Sequence, residues 1–232
     1  MRKISSIIII ICIISIHTIF GQDLRPRTVE VGVIAGPTLC WASPKNVGYD
    51  NEGAKIGGMY GLNVDINLAK PLKNYFFHTG INARHIRTEL SFNDEYKPYD
   101  TATIEAKYNM VYLSIPTAIK FKTDEFGRFV IFGTFGMDNS FCVSSKLKYK
   151  EINNVKEDKT ENIYKQTFFV REALLVCLGF EFLIKNNTKA SFALAFNNSF
   201  TPTYRKDYTN KNNGERVDDK SRMFEFQFGF IF

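Results

Sequence analysis

Beyond residue 28 the chain alternates apolar and polar side chains with a period of two, the signature of β-strands with one apolar face. The plainest case is the tail. Phe224, Phe226, Phe228, Phe230 and Phe232 share one side, and Glu225, Gln227 and Gly229 share the other. A second clean strand spans 56–69, with Tyr60, Leu62, Val64, Ile66 and Leu68 facing one way and Gly61, Asn63, Asp65 and Asn67 the other. Strands are also predicted over 29–42, 75–90, 104–122, 128–146, 166–184 and 189–200, which makes eight.

The apolar faces comprise Val111, Leu113, Ile115, Ile119 and Phe121 in the fourth strand and Leu174, Val176, Leu178 and Phe180 in the sixth. In the seventh they are Phe192, Leu194 and Phe196. Both faces of the fifth strand carry apolar residues, and Phe129, Ile131, Phe135 and Met137 are assigned outward, leaving Thr134, Gly136, Asp138 and Ser140 inward. Pro116 removes a ladder donor from the fourth strand and predicts a bulge or bend there.

The connections sort by length. Ser43–Lys55, Ser91–Thr103, Leu147–Lys165 and Thr201–Lys220 are long and polar, whereas Lys70–Asn74, Thr123–Gly127 and Lys185–Thr188 are short and built from turn residues. Long and short alternate, as in an up-and-down barrel that keeps its tight turns at one end. No window after residue 21 has the length and apolarity of a transmembrane helix, so strands must carry any membrane contact.

Interior volume orients the faces. Eight strands enclose room for little more than their own side chains, and rows of Phe, Leu, Ile and Tyr would overfill it. The opposite faces, rich in glycine and alanine with a few charges, fit. This predicts an all-β, eight-stranded antiparallel up-and-down transmembrane β-barrel with its apolar rows toward lipid. Glu30, Asp65, Arg84, Lys120, Glu181 and Glu225 form a polar plug in the lumen. Lys120 is expected to pair with Glu30, Glu181 or both, because an unpaired buried charge is costly. Trp41, Tyr108 and Phe168 near the long-loop end, and Tyr75, Phe126, Phe129 and Phe232 near the other, predict two aromatic girdles.

Compartment follows from the N-terminus. Arg2 and Lys3, the apolar run Ile7–Ile16, and Phe20-Gly21 before Gln22 predict a secretory signal peptide over residues 1–21 and a barrel domain over 22–232. Removing Arg2 and Lys3 takes the formal charge from +6 to +4. That balance suits an anionic surface and does not call for nucleic acid. Lys146, Lys148, Lys150, Lys156, Lys159, Arg205, Lys206 and Lys211 lie in or beside the long loops mixed with acids, the usual pattern of a solvated loop, with contact to anionic lipopolysaccharide the lesser reading. Outer membrane lipid and lipopolysaccharide are the partners expected of such a barrel.

Candidate chemistry is sparse. The mature chain retains Cys40, Cys142 and Cys177, an odd number that defines no disulfide framework, and only His78 and His85. It carries no CxxC, HExxH, GxSxG or glycine-rich phosphate loop, so no catalytic, cofactor or metal site is predicted.

Tyr112-Leu113-Ser114-Ile115-Pro116, followed by Ile119-Lys120-Phe121, resembles the Tyr-Leu-x-Ile-Pro segment of the PorT-like outer membrane β-barrel family of Bacteroidota. The resemblance implies the cell outer membrane, with both termini periplasmic and the terminal Phe232 read by the barrel assembly machinery. It adds subunits of a protein secretion system as alternative partners. A soluble lipocalin-like carrier, with the large apolar residues turned inward, is the remaining alternative.

Overall fold

A computed structural model describes residues 28–45, 49–68, 74–93, 103–151, 159–185, 188–205 and 218–232. The expected signal peptide, the turn Lys70–Lys73, and Lys156, Lys206 and Lys211 lie outside them. Ten strands form: β1 Val29–Pro44, β2 Tyr49–Asn51, β3 Lys55–Asn67, β4 Tyr75–Asn93, β5 Thr103–Lys122, β6 Phe129–Glu151, β7 Lys159–Asn162, β8 Val170–Lys185, β9 Thr188–Ser199 and β10 Asp219–Ile231. All pairings are antiparallel. Eight strands run β1-β3-β4-β5-β6-β8-β9-β10, and β10 pairs back onto β1, from Gly32↔Ile231 to Pro44↔Asp219, closing the barrel. The short β2 and β7 extend the sheet on β4 and β6 at the long-loop end.

The alternation predicted from sequence sets which way each strand faces. The apolar rows expected to face lipid, from Tyr60 on β3 to Phe232 after β10, lie on the outer face, exposed or half-exposed. Leu62, Leu113, Leu178, Leu194 and Phe228 together present an apolar girdle that water would not tolerate on a monomer. On β5 it runs from Val111 to Phe121, eleven residues, matching the roughly 9–11 of a tilted transmembrane strand.

The strands outrun that girdle, and there the structure departs from expectation. β6 continues to Glu151 rather than ending at 146, and β10 begins at Asp219, so parts of the predicted polar loops are strand. β8 starts at Val170 rather than 166. In these extensions the two faces exchange character. Ile86, Leu90, Tyr108, Met110, Tyr112, Leu147, Tyr204 and Met223 point inward and pack as an apolar core with Cys40 and Cys142. Arg87, Lys107, Asn109 and Lys146 point out. The lumen is therefore small and polar only below this level. Tyr108, expected in an aromatic girdle, is buried inside, where its even number on β5 places it beside Tyr204 at 5.1 Å.

A bulge makes the exchange on β6. Val111 pairs with Ser144 and Tyr112 with Cys142, so Val143 is the extra residue, 61% exposed. Before it even-numbered residues of β6 face in, and after it Ser145 and Leu147 do. The irregularity expected at Pro116 takes another form. Pro116 pairs in register with Asp138, while the β4–β5 ladder has a gap between His78↔Ala118 and Asn82↔Ser114, opposite the missing donor.

Deleting Val143 alone should remove the bulge and keep Leu147 inward, whereas deleting Val143 and Ser144 together should turn Lys146 and Lys148 inward and Leu147 outward. The expected result of the double deletion is protease cleavage within residues 145–162 while the part of the barrel from Tyr75 to Phe121 stays protected, and the single deletion should keep both protected. Unchanged protection of 145–162 in the double deletion would contradict the parity exchange.

Candidate functional site

Within the girdle the lumen holds two layers of charged side chains, and Asp219 is buried apart from them, accepting from Ser43 N at 2.7 Å and Thr203 Oγ1 at 3.4 Å. At the end holding the tight turns and both strand termini, Lys120, Lys122 and Lys189 meet Glu30, Asp65 and Glu181. Lys120 Nζ donates to Asp65 Oδ2 at 2.7 Å and to Glu181 Oε1 at 2.8 Å. Lys122 Nζ contacts Glu30 and Glu181. Lys189 Nζ donates to Glu30 Oε1 at 2.8 Å and lies 3.3 Å from Glu181 Oε2. His78 Nδ1 is 2.6 Å from Asp65 Oδ1. Three ammonium groups balance three carboxylates, with Glu181 touched by all three.

Of the partners expected for Lys120, Glu181 is engaged and Glu30 is not. Glu30 is taken by Lys122 and Lys189, which continue the inward phases of β5 and β9 by one step beyond Lys120 and Ser191. An apolar cluster of Ala118, Phe132, Leu175, Cys177 and Ala195 borders the layer, and Lys120 Nζ sits 4.2 Å over the Phe132 ring.

The second layer centres on Arg84. Its Nε donates to Glu225 Oε1 at 2.6 Å and its Nη1 to Asp138 Oδ1 at 2.8 Å. Asp138 Oδ2 accepts from Ser140 Oγ at 2.8 Å and Asn197 Nδ2 at 3.1 Å, and lies 3.6 Å from Arg171. Arg171 also donates to Ser221 Oγ and Asn197 Oδ1, and Gln227 Nε2 to Glu225 Oε2. Two guanidinium groups balance two carboxylates. Asn197 faces inward as the alternation of the seventh strand predicts, whereas Arg171 escaped the sequence reading, although the odd-numbered phase of β8 points it inward.

Between the layers lies a cavity of about 30 Å³, lined by Asn63, Asp65, His78, Asn82, Arg84, Lys120 and Gln227 among others. That is room for about two waters. Glu30, Asp65 and Glu181 bring carboxylate oxygens within 4.8 Å of one another, a spacing a cation could use, but the three lysines already neutralise them. Above the second layer the apolar core fills the lumen. Cys40, Cys142 and Cys177 are free and buried. His85 stands apart on the outer face, its ring 6.0 Å from that of Tyr60.

A closed barrel of eight antiparallel strands, apolar outside and charge-paired inside, is a transmembrane barrel by its own physics. A family model described as "Outer membrane protein beta-barrel domain" matches residues 20–232. The chain belongs to that family, and its place is the outer membrane. Among solved structures it is similar to neisserial surface protein A, at 11% identity over 88% of this chain and 96% of that one, with a TM-score of 0.44. It is similar also to Ail of Yersinia pestis, at 13% over 89% and 100% with a TM-score of 0.37. The outer membrane protease OmpT of Escherichia coli matches at 11% over 91% and 98%, with a TM-score of 0.44. A search of the curated proteins found no match.

Arg84→Met would leave the buried Asp138 and Glu225 without their main counterion. Its expected effect is a loss of about 3–5 kcal/mol in urea unfolding from bilayers. Gln227→Ala, which leaves both ion pairs whole, is expected to cost about 1 kcal/mol. Equal effects would contradict the central role of Arg84.

Proposed function

We propose that the chain is a non-enzymatic outer membrane anchor, with a side-chain-filled lumen, periplasmic termini, and strand extensions and loops that make its specific contacts outside the cell. The supporting observation is the filled lumen: two charge-balanced layers and an apolar core leave a cavity of about 30 Å³, which neither conducts solutes nor holds a carried ligand. A lipocalin-like carrier would need apolar walls around a ligand-sized space, and the wall here carries Glu30, Asp65, Arg84 and Lys120. The buried carboxylates Glu30, Asp65, Asp138, Glu181 and Glu225 each face a cation, the arrangement of a structural plug rather than of a paired acid and base.

The orientation rests on loop sorting. Tight turns, Val29 and Phe232 share one end, and the long connections share the other. The barrel assembly machinery and outer membrane lipid are the partners this reading entails. The segment Tyr112–Pro116, with Tyr112 fully buried where the two interior regimes meet, favours as second reading a PorT-like secretion subunit. Co-purification of translocon subunits and loss of secreted cargo on deletion would distinguish it.

Two measurements test the anchor. An epitope inserted within residues 206–217 should be bound by antibody on intact cells, and one between Asp124 and Glu125 only after the outer membrane is permeabilised. The purified barrel in planar bilayers should show no stepwise conductance. Reversed accessibility would overturn the orientation, and steady ohmic channels would overturn the closed lumen.

A further inference from the structure

The cations just beyond the apolar girdle are unevenly distributed around the barrel. On β4, β5 and β6 the register sets Arg87, Asn109 and Lys146 side by side in one outward row, all exposed. The next row outward is Glu89, Lys107 and Lys148, with Lys55 reaching Glu89 from β3. Lys107 contacts both Glu89, at 3.1 Å, and Glu105, at 3.9 Å. Glu89 and Glu105 are held by Lys55 and Lys107 in the outer part of the patch, Lys148 is engaged as well, and Arg87 Nη1 lies 3.5 Å from the Ile56 carbonyl oxygen. On β1, β10 and β9 the two corresponding rows are Trp41, Arg222 and Asn198, then Ser43 and Lys220, and the Arg222 Nε donates to Asn198 Oδ1 at 3.1 Å.

Height and spacing give the patch a chemistry. Asn109 lies two residues beyond Val111, about 7 Å along the strand from the last apolar position of β5. Charged headgroups begin at that depth. Arg87 and Lys146 are two strand spacings apart, about 10 Å, and flank an amide that can donate between them. Exposed Val143, beside the row, continues the apolar surface up to it.

We propose that the Arg87–Asn109–Lys146 row, backed by Lys107 and Lys148, binds the phosphate groups of lipopolysaccharide in the outer leaflet. Arg87 holds a phosphate through its planar fork and Lys146 as a point charge, while the acyl chains lie along Leu113, Ile115 and Ile119. The site deepens the anchor reading and rests on its orientation, since the extended strands must stand on the outer side.

The test uses the full mature barrel in nanodiscs containing lipopolysaccharide, with lipid retained through purification quantified by mass spectrometry. Heat-modifiable migration on a gel checks that each variant is folded. Arg87→Gln combined with Lys146→Gln is expected to weaken binding about thirty-fold, the loss for two cations at an anionic membrane surface. Lys45→Gln combined with Arg222→Gln removes the same charge from the β1–β10 side of the rim and is expected to leave it unchanged. Equal loss in both pairs, or none in either, would overturn the site, and so would phosphatidylglycerol that competes as well as lipopolysaccharide. Nanodiscs offer lipopolysaccharide to either end of the barrel, so failure here is distinct from a reversed orientation, which the epitope experiment reports.

Discussion

Each side chain on a closed strand points either out or in, and in this barrel the two directions lead to solvents of opposite kind. Within the girdle the outside takes the apolar residues, so the inside receives the polar ones. Eight strands are too few to enclose a water column that would hydrate them. Every inward charge must then find its counterion across the lumen, and the pairs that result are long-range braces. Arg84 ties β4 to β10 through Glu225 and to β6 through Asp138. Lys120 ties β5 to β3 and β8, and Lys122 ties β5 to β1. None of these links joins neighbours in the barrel, so the ion pairs connect strands that backbone ladders leave unconnected. The stability they add over an apolar filling is small, because desolvation offsets attraction. Their consequence is a lumen that is filled and closed.

Beyond the girdle the outer solvent becomes water and the two faces exchange character. The same strands continue, with polar residues outside and Ile86, Leu90, Met110, Leu147 and Met223 inside. β4 and β5 make the change by residue type at constant phase. β6 makes it with the Val143 bulge, which shifts the phase so that Leu147 enters the core and Lys146 and Lys148 leave it. The extension is thus a water-soluble β-structure built on the rim of a membrane-embedded one. It carries any surface contact on an ordered base rather than on loops alone.

Much of this was legible in the sequence because the period-two signal is strongest where one face must be apolar. β3, β5 and β10 could be phased from their own residues, and the phases placed Asp65, Lys120 and Glu225 inside. The same phases, carried one step further, reach Lys122, Lys189 and Arg171, which were missed because they sit at strand ends where the apolar face gives out. The outer core was hidden for a different reason. Tyr108, Met110 and Leu147 are apolar residues facing inward within segments whose other face is polar, a pattern that on its own reads equally as a girdle aromatic or a loop. The pairing partner of each charge was also out of reach, since Lys120 lies within range of Asp65 only through the register of β3, β4 and β5.

The exchange of faces on one strand is the point at which these arguments meet, and spin labels placed singly from Lys107 to Phe121 in a cysteine-free barrel measure it directly. Collision with dissolved oxygen reports lipid, and collision with a water-soluble nickel chelate reports water. Residues 113, 115, 117, 119 and 121 should be accessible to oxygen and 107 and 109 to nickel, with the even positions from 108 to 120 shielded from both. Nickel access at 113 to 121, or oxygen access at the even positions, would contradict the account.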